Sequence, residues 1–331
     1  MRHYQLQSSR QAKLYVTLNV SSSYSPRVAP KQSRGIPNQR GWCDVQFRYA
    51  MIAPEANLAR WVNIFYVIET DAARVEEIVP AYSAQLLLVV RGQLTMCYAD
   101  GSTGQAGAIA FNAPQLRAAP CMLEGPAMIV GASLTPLGWQ SLANRPVDEV
   151  HDRLLPAEAL LSAEQMAQLE AAVAACRDGQ MAPADLCAPL GDVIAAAPFE
   201  QRPDNVAVVE AITAWLGSGF DPQLSDLHAA ISVSPRQLQR ISRRYFGVPP
   251  AQVLKRSRAI RAAMLLANPA LPEAMRTEML TTYFDQAHLI RDMRRFTGRT
   301  PTQLREETLS SGMLDPAGHG DAAAALRSAA A

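Results

Sequence analysis

The stretch "SPRQLQRISRRYFGVPPAQVLK" at residues 234–255 returns in skeleton as "YFDQAHLIRDMRRFTGRTPTQLR" at residues 283–305. An offset of 51 residues lays Ser234 on Asp285, Leu238 on Leu289, Arg240 on Arg291, and Arg243 and Arg244 on Arg294 and Arg295. It also lays Tyr245 on Phe296, Gly247 on Gly298 and Pro250 on Pro301. A repeat of this length is one supersecondary unit used twice.

In the first copy Leu224, Leu227 and Ile231 have the spacing of a short amphipathic helix after Pro222. Ser232 and Val233 break it, and Ser234 then caps a second helix whose first residue is Pro235. Leu238, Ile241 and Tyr245 form the inner face of that helix, Arg236, Gln237, Gln239, Arg240 and Arg243 lie elsewhere around it, and Gly247 stops it. Two short helices joined by a tight turn describe a helix-turn-helix. In the second copy Met275, Met279 and Tyr283 suit the first helix and Asp285 the cap, while Gln286, His288 and Arg291 point outward. Between the copies "PAQVLKRSRAIRAAMLL" reads as a helix through Val253, Leu254, Ser257, Ile260 and Met264, ending before Asn268-Pro269. A rod of about 15 residues spans about 22 Å, enough to hold two readers near the roughly 34 Å spacing of successive major grooves.

Arg donates twice to guanine O6 and N7, and Gln pairs with adenine N6 and N7, so these residue types suit the major groove. The remaining cations would contact phosphate and fix register. Net charge is only +1, but no acid stands between Asp226 and Glu273, where Arg236, Arg240, Arg243, Arg244, Lys255, Arg256, Arg258 and Arg261 fall. Such a field attracts polyanions. A merely solvated Arg-rich face is the competing explanation, and the repeat argues against it.

These residues resemble the AraC/XylS family of bacterial transcription regulators. Ser-Pro-Arg-x-Leu-x-Arg from Ser234, Phe-Gly-x-x-Pro at 246–250, and Arg258 with Ala262 in the linking helix are similar to its first helix-turn-helix. Residues 283–305 are similar to its second, and the likeness runs from 218 to 308. The resemblance implies base-facing or phosphate-facing roles for Arg236, Gln239, Arg240, Gln286 and Arg291, and core roles for Leu238, Tyr245, Leu289 and Phe296. The DNA-binding set expected is Arg236, Gln237, Gln239, Arg240, Arg243, Arg244, Gln286, His288, Arg291, Arg294 and Arg295. Where the family usually has Gly in each turn, this chain has Ser232 and Thr282, each expected to cost about 1 kcal/mol in a left-handed conformation. It also has Ser242 and Met293 where an aromatic is usual, and Glu278 where a small apolar residue is common. The second unit is therefore expected to contribute less specificity than the first.

The N-terminal part is of another kind. "RWVNIFYVIET", "AQLLLVVRG", "QLTMCYADG", "AGAIAFNAP" and "AMIVGASLTP" are short strand-like runs separated by turn residues, predicting a compact antiparallel barrel. From Pro136 "PLGWQSLAN", "SAEQMAQLEAAVAACRD", "APLGDVIAAA" and "NVAVVEAITAWLGSG" take helical spacing. "GSTGQAG" at 101–107 follows Asp100 without opening a helix, so a hairpin is expected there rather than a phosphate loop. Residues 1–43 hold seven Lys and Arg, no acid and no secretory signal, predicting a disordered arm or a misassigned start with Met51 as the first residue.

The fold expected is α+β. A cupin-like barrel at 51–135, with 1–50 disordered or misassigned, precedes a helical connector at 136–218. An all-α tandem helix-turn-helix domain at 219–308 and a disordered tail at 309–331 follow. The five cysteines form no C-x-x-C pair, favouring a reducing cytosol, and no apolar run reaches the roughly 20 residues of a membrane span. The strands contain no histidine, there is no Walker, H-E-x-x-H or G-x-S-x-G pattern, and no cofactor, metal or enzyme activity is expected. Trp61, Phe65, Tyr66, Tyr82, Arg91 and Trp139 are the candidate effector-binding residues, with Arg91 for an anion; aromatic core packing is the plainer alternative. The reading is a cytoplasmic, sequence-specific transcription regulator, activator or repressor. Its candidate partners are double-stranded promoter DNA, RNA polymerase, a small-molecule effector and a second copy of the chain. Two rivals stay open on sequence: a degenerate member acting through protein contacts, and a barrel enzyme fused to a DNA anchor.

Overall fold

The computed structural model describes residues 16–22, 45–197, 200–267 and 286–305, with Ala274, Thr277, Met279 and Tyr283. An antiparallel sheet is followed by a helical half. The strands are β1 (Val16–Ser22), β2 (Val45–Ile52), β3 (Val62–Thr70), β4 (Arg74–Val79), β5 (Gln85–Cys97), β6 (Thr103–Gln105), β7 (Ile109–Asn112), β8 (Ala119–Leu134) and β9 (Leu154–Pro156). Their order is β1-β2-β3-β8-β5-β7-β9, with β4 also on β8 and β6 on β5. The long β8 pairs with β4 through its first half, with β3 through its second, and with β5 throughout.

The two faces of the sheet separate cleanly because side chains alternate along a strand. On β5, Leu86, Leu88 and Val90 point to one face and pack under helices, whereas Leu87, Val89, Leu94 and Met96 point into the barrel. "AQLLLVVRG" and "QLTMCYADG" are thus one bent strand and not two. The register shifts around Arg91, and Gly92 there has φ +76 with no room for a Cβ, which would lie 2.5 Å from Glu124 O. Gly92 marks a bulge where the sequence suggested a turn. The 101–107 hairpin is present as β5–β6, with Gly101 at φ +84.

The helices are α1 (Pro136–Ala143), α2 (Val147–Val150), α3 (Ala163–Arg177), α4 (Cys187–Ala195), α5 (Pro203–Gly217), α6 (Leu224–Ala230), α7 (Pro235–Phe246), α8 (Pro250–Ala267), α9 (Gln286–Thr297) and α10 (Pro301–Arg305). Local chemistry starts several of them. Thr135 Oγ1 accepts the Gly138 N–H at the head of α1, and a Ser162–Gln165 capping box opens α3. Leu169 and Val173 of α3 and Leu190 and Ile194 of α4 are buried in the core on the outer face of the sheet.

Three expected boundaries are corrected. Strand β1 and most of β2 lie within residues 1–50, and β2 runs on through the buried Met51, so a start at Met51 would remove β1 and most of β2. The connector contributes β9 to the sheet, pairing with β7. Its last helix, α5, shares one core with α6, α7 and α8 through Val209, Ile212, Leu227, Leu238 and Val253. Apolar faces close on whatever lies next to them in space, so a core does not stop at a change in sequence character. The tail at 309–331 lies outside the described residues. No helix among the described residues is long and apolar enough to cross a membrane.

Candidate nucleic-acid interface

Ser234 Oγ accepts the Gln237 N–H (3.3 Å) at the head of α7, and Gly247, at φ +81, ends the helix by donating its N–H to Arg243 O (2.8 Å). Leu238, Ile241 and Tyr245 are buried, as their spacing implied. Arg236, Gln239, Arg240 and Arg243 form one exposed stripe at i, i+3, i+4 and i+7. The turn before α7 needs no left-handed residue: Ile231 has φ −122, and Ser232 is not among the positive-φ residues. The cost expected at Ser232 is absent because this turn is built from extended backbone. Ser242, in place of an aromatic, is fully buried and donates to Val248 O (2.6 Å), holding the loop into α8.

In α9 the exposed stripe is Ala287, His288, Arg291, Arg294 and Arg295, while Leu289, Met293 and Phe296 are buried. Gly298 repeats the left-handed stop at φ +72. Asp292 is also buried and pairs with Lys255 of α8 (3.0 Å), fastening the second unit to the linking helix. Asp285, Met275, Glu278, Thr282 and the Gln286 side chain lie outside the described residues. The linking helix has 18 residues, about 27 Å at 1.5 Å per residue.

The basic field is narrower than its sequence count. Arg261 is fully buried and donates to the carbonyls of Leu216, Gly219 and Phe220, at the negative end of α5. Arg258 pairs with Asp221 (2.8 Å), Lys255 with Asp292, and Arg256 donates to Gln115 O (3.2 Å). Arg244 turns to the connector, donating to Asn144 Oδ1 (2.9 Å). Arg236, Arg240 and Arg243 remain on the open face of α7, where Asp148 of α2 lines the same groove.

The family description "Helix-turn-helix domain" matches residues 227–307. The chain carries an AraC-type helix-turn-helix domain. At that level of description it is a DNA-binding transcription regulator. Among solved structures it is similar to ToxT from Vibrio cholerae at 10% identity and TM-score 0.42, over 74% of this chain and 98% of that one. ToxT bound to (E)-4-(8-methylnaphthalen-1-yl)but-3-enoic acid matches at 11% identity and TM-score 0.42, over 74% of this chain and 99% of that one. The AraC-like transcriptional activator CuxR matches at 11% identity and TM-score 0.30, over 79% of this chain and 86% of that one. No curated protein sequence matches the chain.

The helix-turn-helix domain is docked on the sheet and connector at the C-terminal ends of α7 and α9. Gln140 Nε2 donates to Arg244 O (3.2 Å), and the Ala118 N–H donates to Arg295 O (3.0 Å), the position equivalent by the repeat. The Ala81 N–H donates to Phe296 O (2.7 Å). Carbonyls that a helix end leaves without partners are thus satisfied from outside the domain. Beside them Arg299 forms a buried ion pair with Glu77 of β4 and donates to Ile78 O (3.3 Å). Burial pulls the Arg299 guanidinium down to about 10. Ile78 packs onto Gly298, where a Cβ would meet it at 2.4 Å, and Leu116 and Val147 pack onto Gly247.

The candidate effector residues do not form one site. Tyr66 and Tyr82 line a cavity of about 90 Å3 inside the barrel. Phe65, one position from Tyr66, points to the opposite face and is core. Arg91 is exposed at the β5 bulge, away from the cavity. Trp139 and Tyr82 line a second cavity, of about 70 Å3, between the sheet, α1, α7 and α8. Trp61 is partly buried under Arg60, whose guanidinium lies 5.4 Å from its ring centre. Tyr49, Gln85 and Asn112, absent from the sequence reading, line the barrel cavity. Strand alternation from Tyr66 puts Ile64 and Ile68 on its face, but which tyrosine on another strand joins them depends on pairing register.

Proposed function

We propose that the chain is a sequence-specific regulator that reads promoter DNA chiefly through α7 and is controlled by an effector held in its N-terminal half. The carrying observation is the stripe of Arg236, Gln239, Arg240 and Arg243, open on one helix face while Lys255, Arg256, Arg258 and Arg261 are engaged elsewhere. Arg and Gln both suit base edges bidentately, and an Arg of the stripe that meets no base suits phosphate. By the repeat, the second unit has Ala287 and Ile290 where the first has Arg236 and Gln239. Its exposed cations Arg291, Arg294 and Arg295 suit positioning more than reading. Docking of both recognition helices on the sheet and connector is the reason to assign control to the N-terminal half. Bound at a promoter in the cytoplasm, the protein would act by contacting RNA polymerase or by occlusion.

The test is selection of sites from a random duplex pool with the full chain, at two salt concentrations. The expected result is one well-defined base block, a second weaker block about one helical turn away, and affinity falling steeply with salt. Absence of any enriched sequence would overturn the proposal in favour of a module acting through protein contacts.

A further inference from the structure

Helix α9 carries an acid in its packed face. The Asp292 side chain is only 8% exposed, and with Leu289, Met293 and Phe296 it makes up the inner stripe of α9 at i, i+3, i+4 and i+7. The 51-residue repeat sets it on Ile241, which is apolar and buried in the first unit. A carboxylate in such a place is costly unless an opposite charge meets it, and Lys255 of α8 does so at 3.0 Å. Two apolar side chains would fill the same space without that demand, so such a pair adds little stability. Its best-attested use is to fix register, because any other arrangement leaves one charge buried and unpaired.

The surface under α9 needs something of this kind. Lys255, Ala259, Ala262 and Ala263 follow one face of α8 at i, i+4, i+7 and i+8, flanked by Ile260 and Met264. The alanines share a core with Leu289, Met293 and Phe296. Alanines raise low ridges, so a helix packed on them is weakly held against sliding. The linking helix is itself fixed to the first unit. Val253 and Leu254 lie in the core of Leu238, Ile241 and Tyr245, Arg258 pairs with Asp221 (2.8 Å), and Arg261 holds the carbonyls that follow α5. Lys255 therefore carries the frame of the first unit to α9.

A slip of α9 by one turn along α8 would set Asp292 against Ala259 and strand its carboxylate. It would also displace α9 by about 5.4 Å, the pitch of one turn, which is more than one base-pair step of about 3.4 Å. We infer that the Lys255–Asp292 pair sets the register of α9 on α8, and thereby the number of base pairs the protein requires between the two blocks it reads. Both are positioning residues that act on DNA through the placement of α9. The base-pair interval rests on the two-unit reading proposed above; the register of α9 does not.

Asp292→Leu tests this, because Lys255, at 40% exposure, can turn to solvent once its partner is gone. The full chain is titrated by fluorescence anisotropy with duplexes that keep both selected blocks and change the interval by one or two base pairs either way. The native chain should lose roughly tenfold in affinity at a wrong interval, and Asp292→Leu should bind every interval within about threefold. Base preference in the α7 block should be the same in both. A tenfold preference for one interval kept by Asp292→Leu would overturn the inference. If that variant does not fold, Asp292→Asn, which keeps the shape and removes the charge, is measured with the same expectation. A distance taken without DNA separates the register from the reading of two blocks. Spin labels on genetically encoded ketone side chains at the exposed Ala251 of α8 and Ala287 of α9 should give one narrow distance distribution in the native chain. Asp292→Leu should add a second population displaced by about 5 Å. An unchanged distribution would overturn the register even where the intervals lose their ranking. No second block from site selection would remove the interval together with the two-unit reading, and the distance distribution then decides the register alone.

Discussion

Replacing Glu77 with Leu should undock the helix-turn-helix domain from the sheet. The Arg299 and Glu77 side chains are only 11% and 5% exposed. Removing the carboxylate leaves a buried guanidinium with Ile78 O as its neutral partner. Breaking a buried pair from one side costs about 3–5 kcal/mol, against 0–1 kcal/mol for an exposed pair. The docked state should therefore lose a factor of roughly 150 or more in its equilibrium. The Ala81 and Ala118 amides report this directly, since both donate across the junction, to Phe296 O and Arg295 O. Hydrogen exchange at these two amides should accelerate by about two orders of magnitude in Glu77→Leu, while amides in the centre of β5 keep their protection. Adding Arg299→Leu should restore much of the loss, because two apolar side chains of suitable volume leave no buried charge. Acceleration below about fivefold would show that the pair behaves as an exposed one and that the junction is held by other contacts.

Arg240→Ala should cost roughly 1–3 kcal/mol in specific affinity and relax base preference, as measured by fluorescence anisotropy on the selected site and its single-base variants. Arg291→Ala should relax it less, and the reverse ranking would refute the dominance of the first unit. Gly247→Ala should destabilise the chain by at least about 1–2 kcal/mol in urea unfolding, since φ is +81 and the new Cβ would lie 2.9 Å from Val147 Cγ1. An unchanged midpoint would show that the α7 stop is unstrained. Hydrogen bonds from the Ser102 hydroxyl and backbone N–H lower the Asp100 carboxyl from 3.8 to about 2. Its contribution to the hairpin is present above its unfolded value and is lost as pH falls through about 2. Carboxyl NMR should find that midpoint in the native protein and a higher one in Ser102→Ala.

The repeat determined by itself what the C-terminal part is. Helix periodicity, a capping Ser, a Pro at the first helical position and a Gly stop are local signals that act within one or two turns. Leu238, Ile241, Tyr245, Leu289 and Phe296 were accordingly legible as core from spacing alone. The five strand-like runs likewise marked an antiparallel sheet, because alternation is also a local property. Local signals reached their limit at Gly92, where a glycine after an apolar run is compatible with a turn or a bulge, and only the pairing of β5 with β8 separated the two.

Tertiary structure decided everything that depends on which side chain meets which partner across long separations. Eight clustered cations looked like one polyanion-binding field, yet Arg261 closes on carbonyls of Leu216 to Phe220, Arg258 on Asp221 and Lys255 on Asp292. The open stripe on α7 is what remains once those pairings form. The aromatic set divided for a related reason: Phe65 and Tyr66 are neighbours in sequence and occupy opposite faces of the sheet, while Tyr49, Tyr66 and Tyr82 meet only through strand register and a loop. Helical and strand periods are written in consecutive residues. Burial of a charge, the wall of a cavity and the contact between two domains depend on the closed chain, where desolvation and pairing are settled together.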